Sequence, residues 1–292
     1  MLRIIVTLLV ILFVGGALTY VAGSFLLMRR HTEARPTWVS LREASRELLW
    51  VMLSQPLLPL GYLFGRRMGG RAGQPIVLVH GYAQNRYAFY WLARALRRAG
   101  LGPIYGFNYS FFRDVSDNAA RLGLFVERVL AENDGLKVDL VCHSMGSLIG
   151  VEYVVGQGSA HVRRCVTLAG PHAGVVWRGP ILGACGPQLR KDGDFLKCRA
   201  EQALGIPCLS IYSTHDNIVY PPLTSSLAGR GGRDLTVPHL GHLSILFDRQ
   251  VAAHVIAFLS ETEAPRREVP ANEAACAVIQ ATAPADCSPV LP

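Results

Sequence analysis

Acidic residues are scarce in this 292-residue chain: 21 aspartates and glutamates stand against 29 lysines and arginines, a formal net charge of +8. The basic excess is almost all arginine and is spread along the chain. Nowhere does it interleave with aromatics as a nucleic-acid groove requires, so no nucleic-acid partner is expected. Among the seven cysteines there is no C-x-x-C pair and no Cys/His spacing suited to zinc, which argues against a dithiol redox motif and a structural zinc. Internal repeats are absent, which excludes a solenoid. Cys142 and Cys165 fall in predicted buried strands, where a thiol acts as a small hydrophobe. Cys185 with Cys198, and Cys276 with Cys287, stay open as disulfide pairs, and the odd count settles neither.

Charge is also missing from the whole of Ile4 to Met28, 25 residues reading IIVTLLVILFVGGALTYVAGSFLLM, which helps lift the mean hydropathy to +0.27. As a helix rising 1.5 Å per residue, this run is long enough for a hydrocarbon core of about 30 Å. A cleaved signal peptide has an apolar region of only about 7 to 15 residues. Here the run continues past Val21-Ala22-Gly23, so an uncleaved, single-pass anchor is expected over residues 1–30.

Arg3 lies on one side of this run, and Arg29, Arg30, Arg35 and Arg42 on the other, so the positive-inside rule places the bulk of the protein in the cytoplasm. A second apolar stretch, Leu48 to Gly65, complicates that orientation and leaves the membrane side open. Gln55, Pro56 and Pro59 interrupt it, and Trp38 and Trp50 suit a headgroup zone, so it reads as interfacial or re-entrant. A helix docked on a globular domain fits the same residues. For the basic excess, an anionic lipid surface is the economical partner, with plain surface arginine as the alternative.

A Gly/Arg-rich hinge, RRMGGRAGQP (66–75), closes this membrane-proximal region, 31–74. Beyond the hinge, strands and helices alternate. Strand-like runs occupy 75–81, 102–110, 137–144, 162–172, 208–216 and, more weakly, 234–242. Helical spacing marks 88–100, 116–133, 145–156 and 244–260. Alternation at this spacing predicts an α/β fold: a mostly parallel sheet with helices on both faces, over residues 75–260. The pattern breaks between 173 and 207, a stretch too long for an ordinary connection, which reads as a lid or cap insertion. The Ala/Pro/Glu-rich tail, 261–292, is expected to be flexible.

The strand VDLVCH runs straight into Ser144-Met145-Gly146 and a helix. This arrangement resembles the nucleophile elbow of α/β-hydrolases, G-x-S-x-G, where small residues two positions either side of the serine allow a sharp turn and close helix–strand packing. Gly146 meets the later requirement; Cys142 replaces the earlier glycine, a departure small enough to fit. A serine hydroxyl needs an imidazole to take its proton. In this fold the acid and the histidine follow the serine in that order. Asp216 in THDNIVYPP and His242 in PHLGHLSIL each follow a predicted strand, on the edge of the sheet that carries Ser144. Asp192, Asp194 and Asp248 are other carboxylates, none directly ending a strand. His239 competes with His242, which opens the loop before the last helix, where the family's histidine falls.

Two further stretches carry the likeness to bacterial lipases and carboxylesterases. LVHGYAQN (78–85), with His80 and Gly81, resembles the HG-x loop whose residue after the glycine supplies one backbone N–H to an oxyanion, the residue after the nucleophile supplying the other. Carried over, these are Tyr82 and Met145. VTLAGPHAGVVW (166–177) resembles the run that opens the lid region in lipases, and His172 is expected to shape the site without taking part in chemistry. The resemblance covers roughly 75–260. It implies a membrane-anchored serine hydrolase acting on carboxylic esters, lipid or acylglycerol-like, without cofactor or metal, in a bacterial inner membrane. The same triad would also serve a thioesterase, an acyltransferase or an amidase. A non-catalytic membrane scaffold or lipid-binding module is the reading from another class. Nothing in the sequence sets the oligomeric state.

Overall fold

Val138 to His143 and Ile76 to Val79 are buried at every position. A strand covered on both faces has no polar side, which is why these runs show no alternation. The computed structural model describes residues 1–32, 37–63, 65–177, 179 and 181–262. Arg35, Cys276, Cys287 and the tail from residue 263 lie outside the described residues. Three helices come first, α1 (Leu2–His31), α2 (Thr37–Ser54) and α3 (Leu60–Leu63). The sheet and its crossovers follow: β1 (Arg67–Gly69), β2 (Ile76–Val79), α4 (Tyr90–Arg98), β3 (Ile104–Phe107), α5 (Val115–Ala131), β4 (Val138–His143), α6 (Met145–Gly156) and β5 (Val162–Leu168). Then come α7 (Cys185–Gln188), α8 (Asp194–Lys197), β6 (Cys208–Ser213), β7 (Arg233–Val237) and α9 (Arg249–Ser260).

The sheet has seven strands in the order β1-β3-β2-β4-β5-β6-β7. All neighbours run parallel except β1, which lies antiparallel on the edge beside β3. That edge strand comes from the Gly/Arg-rich stretch expected as a hinge. Register sets Val79 beside Cys142, His143 beside Leu168 and Ser213 beside Val237. The C-terminal ends of β2, β4, β5, β6 and β7 therefore share one edge, where open α/β sheets bind ligands.

Alternate strand residues point to opposite faces. On one face Val77, Val79, Leu140 and Cys142 pack with α5 and α6. On the other, Leu78, Val141, Val166 and Ile211 pack with α4, α9 and the first two helices. Ala17, Val21, Phe25 and Met28, spaced to lie on one face of α1, are part of that second layer. Full burial of a side chain such as Phe25 is worth roughly 1.5–3 kcal/mol, so this contact is firm. Met1 to Leu259 form one compact unit. Leu2, Ile4, Leu8 and Leu12, near the start of α1, remain exposed.

The stretch expected to be interfacial or re-entrant is helical to Ser54, breaks into a 3-10 turn at Gln55–Leu57 and resumes as α3. Pro56 lacks the N–H a continuing helix needs, and the break falls there. α2 is docked through Val39, Glu43, Glu47 and Val51, yet Trp38, Leu41, Leu49 and Leu53 on its outer side are exposed. The final helix, expected from 244, begins instead at Arg249 after a 3-10 turn at Ser244–Phe247. Asp248 causes the break: its Oδ1 accepts from Gln250 N at 2.8 Å and from Val251 N at 3.2 Å, an N-cap.

Candidate active site

Ser144 sits between β4 and α6 with φ 53° and ψ −128°, a left-side conformation that costs a non-glycine residue on the order of 1–3 kcal/mol. The strain aims the side chain up out of the sheet edge. Two close approaches maintain it. A Cβ at residue 146 would overlap the carbonyl oxygens of Val79 and His80, so α6 reaches the sheet only because Gly146 has none. A Cβ at residue 150 would overlap the Cys142 sulfur. The thiol that replaces the expected glycine at 142 thus occupies space left open by Gly150 in the second turn of α6.

Asp216 follows β6 and His242 follows β7, and the structure brings both to Ser144. His242 Nε2 lies 2.8 Å from Ser144 Oγ, and His242 Nδ1 lies 2.9 Å from Asp216 Oδ2 and 3.1 Å from Oδ1. All three side chains are buried. Asp216 Oδ1 also accepts from Ile218 N and Val219 N, each at 2.8 Å, so its carboxylate is fixed by its own loop. Burial pulls the His242 imidazole down, but the Asp216 charge and hydrogen bond outweigh it and hold the pKa above the ordinary histidine value. The rival residues lie elsewhere. The ring of the exposed His239 packs on His215 at 4.8 Å, Asp248 pairs with Arg46 at 2.7 Å, and Asp192 and Asp194 flank the start of α8.

Tyr82 and Met145 line a cavity together with Ser144, Met145 as the first residue of α6, where a helix leaves its N–H groups unpaired. Gly81 lies where a Cβ would press on Ser144 Cβ and His143 Nδ1, both at 3.0 Å. His80 steadies this loop. Its Nε2 accepts from Tyr109 N at 3.3 Å, so Nδ1 carries the proton and donates to Gly81 O at 2.8 Å. The Tyr109 ring stacks on it at 4.2 Å, and burial pushes its pKa down to about 4, so it is neutral. His172 contacts Thr167 Oγ1 at 3.2 Å, and burial takes it down to about 3.

The segment 173–207 covers one side of this edge. Val175 N donates to Leu189 O at 2.7 Å, Tyr82 Oη to Leu182 O at 3.0 Å, and Cys185 Sγ to Phe111 O at 3.0 Å. Cys185 is therefore a buried thiol, not joined to Cys198. Among the described residues no three His, Cys, Asp or Glu side chains are grouped to hold a metal ion.

Three contributors were not foreseen. Glu47 of α2, fully buried, accepts from Leu243 N at 2.7 Å and Ser244 N at 2.8 Å, clasping the loop that carries His242. Burial raises its pKa. A Cβ at residue 241 would overlap its carboxylate, which gives Gly241 a reason to precede His242. Asn217 Oδ1 accepts from His242 N at 2.8 Å, and its Nδ2 donates to Ser24 Oγ of α1 at 2.7 Å. The available signal was Glu43 and Glu47, four residues apart between Val39 and Val51 on one helix face. Two carboxylates on a face that is otherwise apolar are either exposed or bound to something. Glu47→Ala leaves two buried N–H groups without an acceptor, at about 1–3 kcal/mol for each. A clear fall in Tm of the detergent-solubilised protein is expected, with part recovered by Glu47→Gln; an unchanged Tm in Glu47→Ala would contradict the clasp.

A mostly parallel sheet with a serine on a strained strand–helix turn, and an acid and a histidine on later loops of the same edge, defines an α/β-hydrolase. Residues 73–219, half of the chain, match the family Lipase (class 2), and the chain belongs to that family, one of carboxylic ester hydrolases. Among solved structures it is similar to lipase B of Aspergillus fumigatus (20% identity, TM-score 0.58, 68% of this chain and 54% of that one). It is also similar to a Bacillus licheniformis lipase in mature form (19% identity, TM-score 0.55, 65% and 94%) and to a Thermogutta terrifontis esterase (14% identity, TM-score 0.51, 65% and 90%). The chain spans about half the length of the fungal lipase, and at these identities the likeness is one of fold.

Proposed function

We propose that the protein is a membrane-anchored lipase or esterase that cleaves carboxylic esters through Ser144, His242 and Asp216. The observation that carries this reading is the unbroken pair of contacts, Ser144 Oγ to His242 Nε2 at 2.8 Å and His242 Nδ1 to Asp216 Oδ2 at 2.9 Å. Ser144 Oγ attacks the ester carbonyl carbon as its proton passes to His242 Nε2. Asp216 accepts from Nδ1–H, which fixes the tautomer and stabilises the imidazolium. The oxyanion is held by the N–H groups of Tyr82 and Met145, each worth roughly 3 kcal/mol of barrier. The tetrahedral intermediate collapses, the alcohol leaves with the proton from His242, and an acyl-Ser144 ester remains. His242 then deprotonates a water that attacks this ester, and Ser144 takes the proton back as the acid is released.

Residues 1–30 serve as the anchor, 31–74 as a membrane-proximal segment, and 75–260 as the hydrolase domain with its cap at 173–207. The apolar length of α1, with no charge from Ile4 to Met28, supports the anchor, and the exposed Trp38, Leu41, Leu49 and Leu53 support contact with a lipid surface. Hydrolysis of nitrophenyl esters from short to long acyl chains, by the detergent-solubilised protein, tests the reading. Turnover that rises with chain length supports a lipase, and no turnover of any chain by folded protein contradicts ester hydrolysis.

The pH profile is set by the histidines. The base must be neutral, so activity falls as pH drops through the His242 pKa, which lies above the ordinary value of about 6.5. His80 and His172 have already lost their protons below that range. A plot of kcat/KM against pH should thus rise through one ionisation above about 6.5. An acid limb centred well below it would contradict the assignment of His242.

A further inference from the structure

Two cavities meet at Ser144, and α1 walls both. One, about 650 Å³, takes in Leu12, Phe13, Gly16 and Ala17 of α1 and reaches His143 and His242. The other, about 630 Å³, takes in Thr19, Gly23, Ser24 and Leu27 of α1 and reaches Met145, Trp177 and Leu182. Tyr20, Tyr82, Ser144 and Ile218 line both, so they stand between the two spaces. Each has the size of a site for a small-molecule ligand.

The chemistry assigns the two sides. His242 returns its proton to the leaving alcohol, so the alcohol lies on the side that holds His242. The acyl chain then lies on the opposite side, with Met145 and the cap. The alcohol side is bounded by Leu12, Phe13, Ala17 and Val51, so the alcohol that fits it carries hydrocarbon of its own. The depth of the site agrees. From Leu2 to Leu12 every residue of α1 is exposed, a length of roughly 16 Å, about half of a hydrocarbon core. If α1 spans, the catalytic edge meets it at the level of one leaflet, where such alcohols reside.

We infer that α1 is a wall of the substrate site as well as an anchor, and that the substrate is a lipid ester with hydrocarbon on both sides of the scissile bond, a diacylglycerol-like molecule taken from the bilayer. The inference rests on Ser144 as nucleophile. It gives two glycines of α1 separate jobs: Gly23 leaves room for the acyl chain and Gly16 for the alcohol part. A Cβ at Gly15, Gly16 or Gly23 meets nothing within 4 Å, so larger side chains there are compatible with folding.

The test uses the full chain in mixed micelles with two substrate types, nitrophenyl esters of short and long acids and a long-chain diacylglycerol. Gly23→Phe should lower kcat/KM for the long nitrophenyl ester relative to the short one by on the order of tenfold or more. Gly16→Phe should leave that ratio as in wild type, while lowering diacylglycerol hydrolysis relative to the short nitrophenyl ester by a similar factor. Gly15→Phe, which lines neither cavity, should match wild type in both ratios and controls for bulk added to the same helix. If Gly16→Phe and Gly23→Phe, in wild-type amounts and with wild-type Tm, keep both ratios, α1 is no wall and the inference fails while the triad reading stands. If wild-type protein is not labelled at Ser144 by a fluorophosphonate, both fail together.

Discussion

Ser144→Ala is expected to abolish ester hydrolysis, a loss on the order of 10⁶ in turnover. The size of the loss reflects how the residue is held. In the proposed mechanism the hydroxyl forms the acyl bond, and His242 Nε2 lies 2.8 Å from that oxygen, within reach of its proton. The variant keeps its fold because the turn is built by the backbone: Ser144 N donates to Leu168 O at 2.9 Å and Ser147 N to Ser144 O at 2.8 Å, neither through the side chain. Residual activity should match the reagent's background hydrolysis. A Ser144→Ala protein with a tenth of wild-type turnover would mean that another nucleophile does the work.

Asp216→Asn is expected to lower kcat by about 10⁴ with little change in stability. Asparagine retains an oxygen that can accept from Ile218 N and Val219 N, so the loop that Asp216 closes on itself survives. What changes is the face shown to His242. An amide NH₂ facing Nδ1 favours the tautomer whose proton sits on Nε2, where it cannot accept from Ser144. The Asp216 charge that raises the imidazole pKa also disappears, leaving burial opposed only by the smaller pull of the Glu47 charge. The acid limb of the pH profile should therefore move down as kcat falls. A large loss of kcat with the limb unmoved would assign Asp216 a role in folding only.

Residue types and order were enough to read the strand–helix alternation, and the resemblance to the α/β-hydrolase elbow and its order of serine, acid and histidine singled out Ser144, Asp216 and His242, because those signals are local: buried strand runs, a glycine two positions after the serine, an acid and a histidine at the ends of strands. The Cys142 departure became intelligible only through Gly150, since the two meet across a strand–helix contact. Glu47 was not legible as part of the site. Its partners Leu243 and Ser244 lie 196 and 197 residues away, and a contact of that separation leaves no periodicity to read. The same holds for Ser24, which reaches Asn217 across 193 residues. Apolar composition likewise makes α1 long and apolar enough to cross a membrane and is silent on the face it turns to the cavities, because lipid and a lipid-binding site ask for the same side chains. The expected start of the final helix at 244 was wrong for a smaller reason, the Asp248 cap inside an otherwise continuous pattern.

Covalent labelling asks without any substrate whether the residues around Ser144 activate it. Full-length protein in detergent is treated with a fluorophosphonate, digested, and the modified peptide sequenced by mass spectrometry. A single adduct on Ser144 is expected, lost in His242→Ala and formed more slowly as pH falls through the His242 ionisation. Folded wild-type protein that takes up no label, or takes it up equally without His242, would contradict that activation.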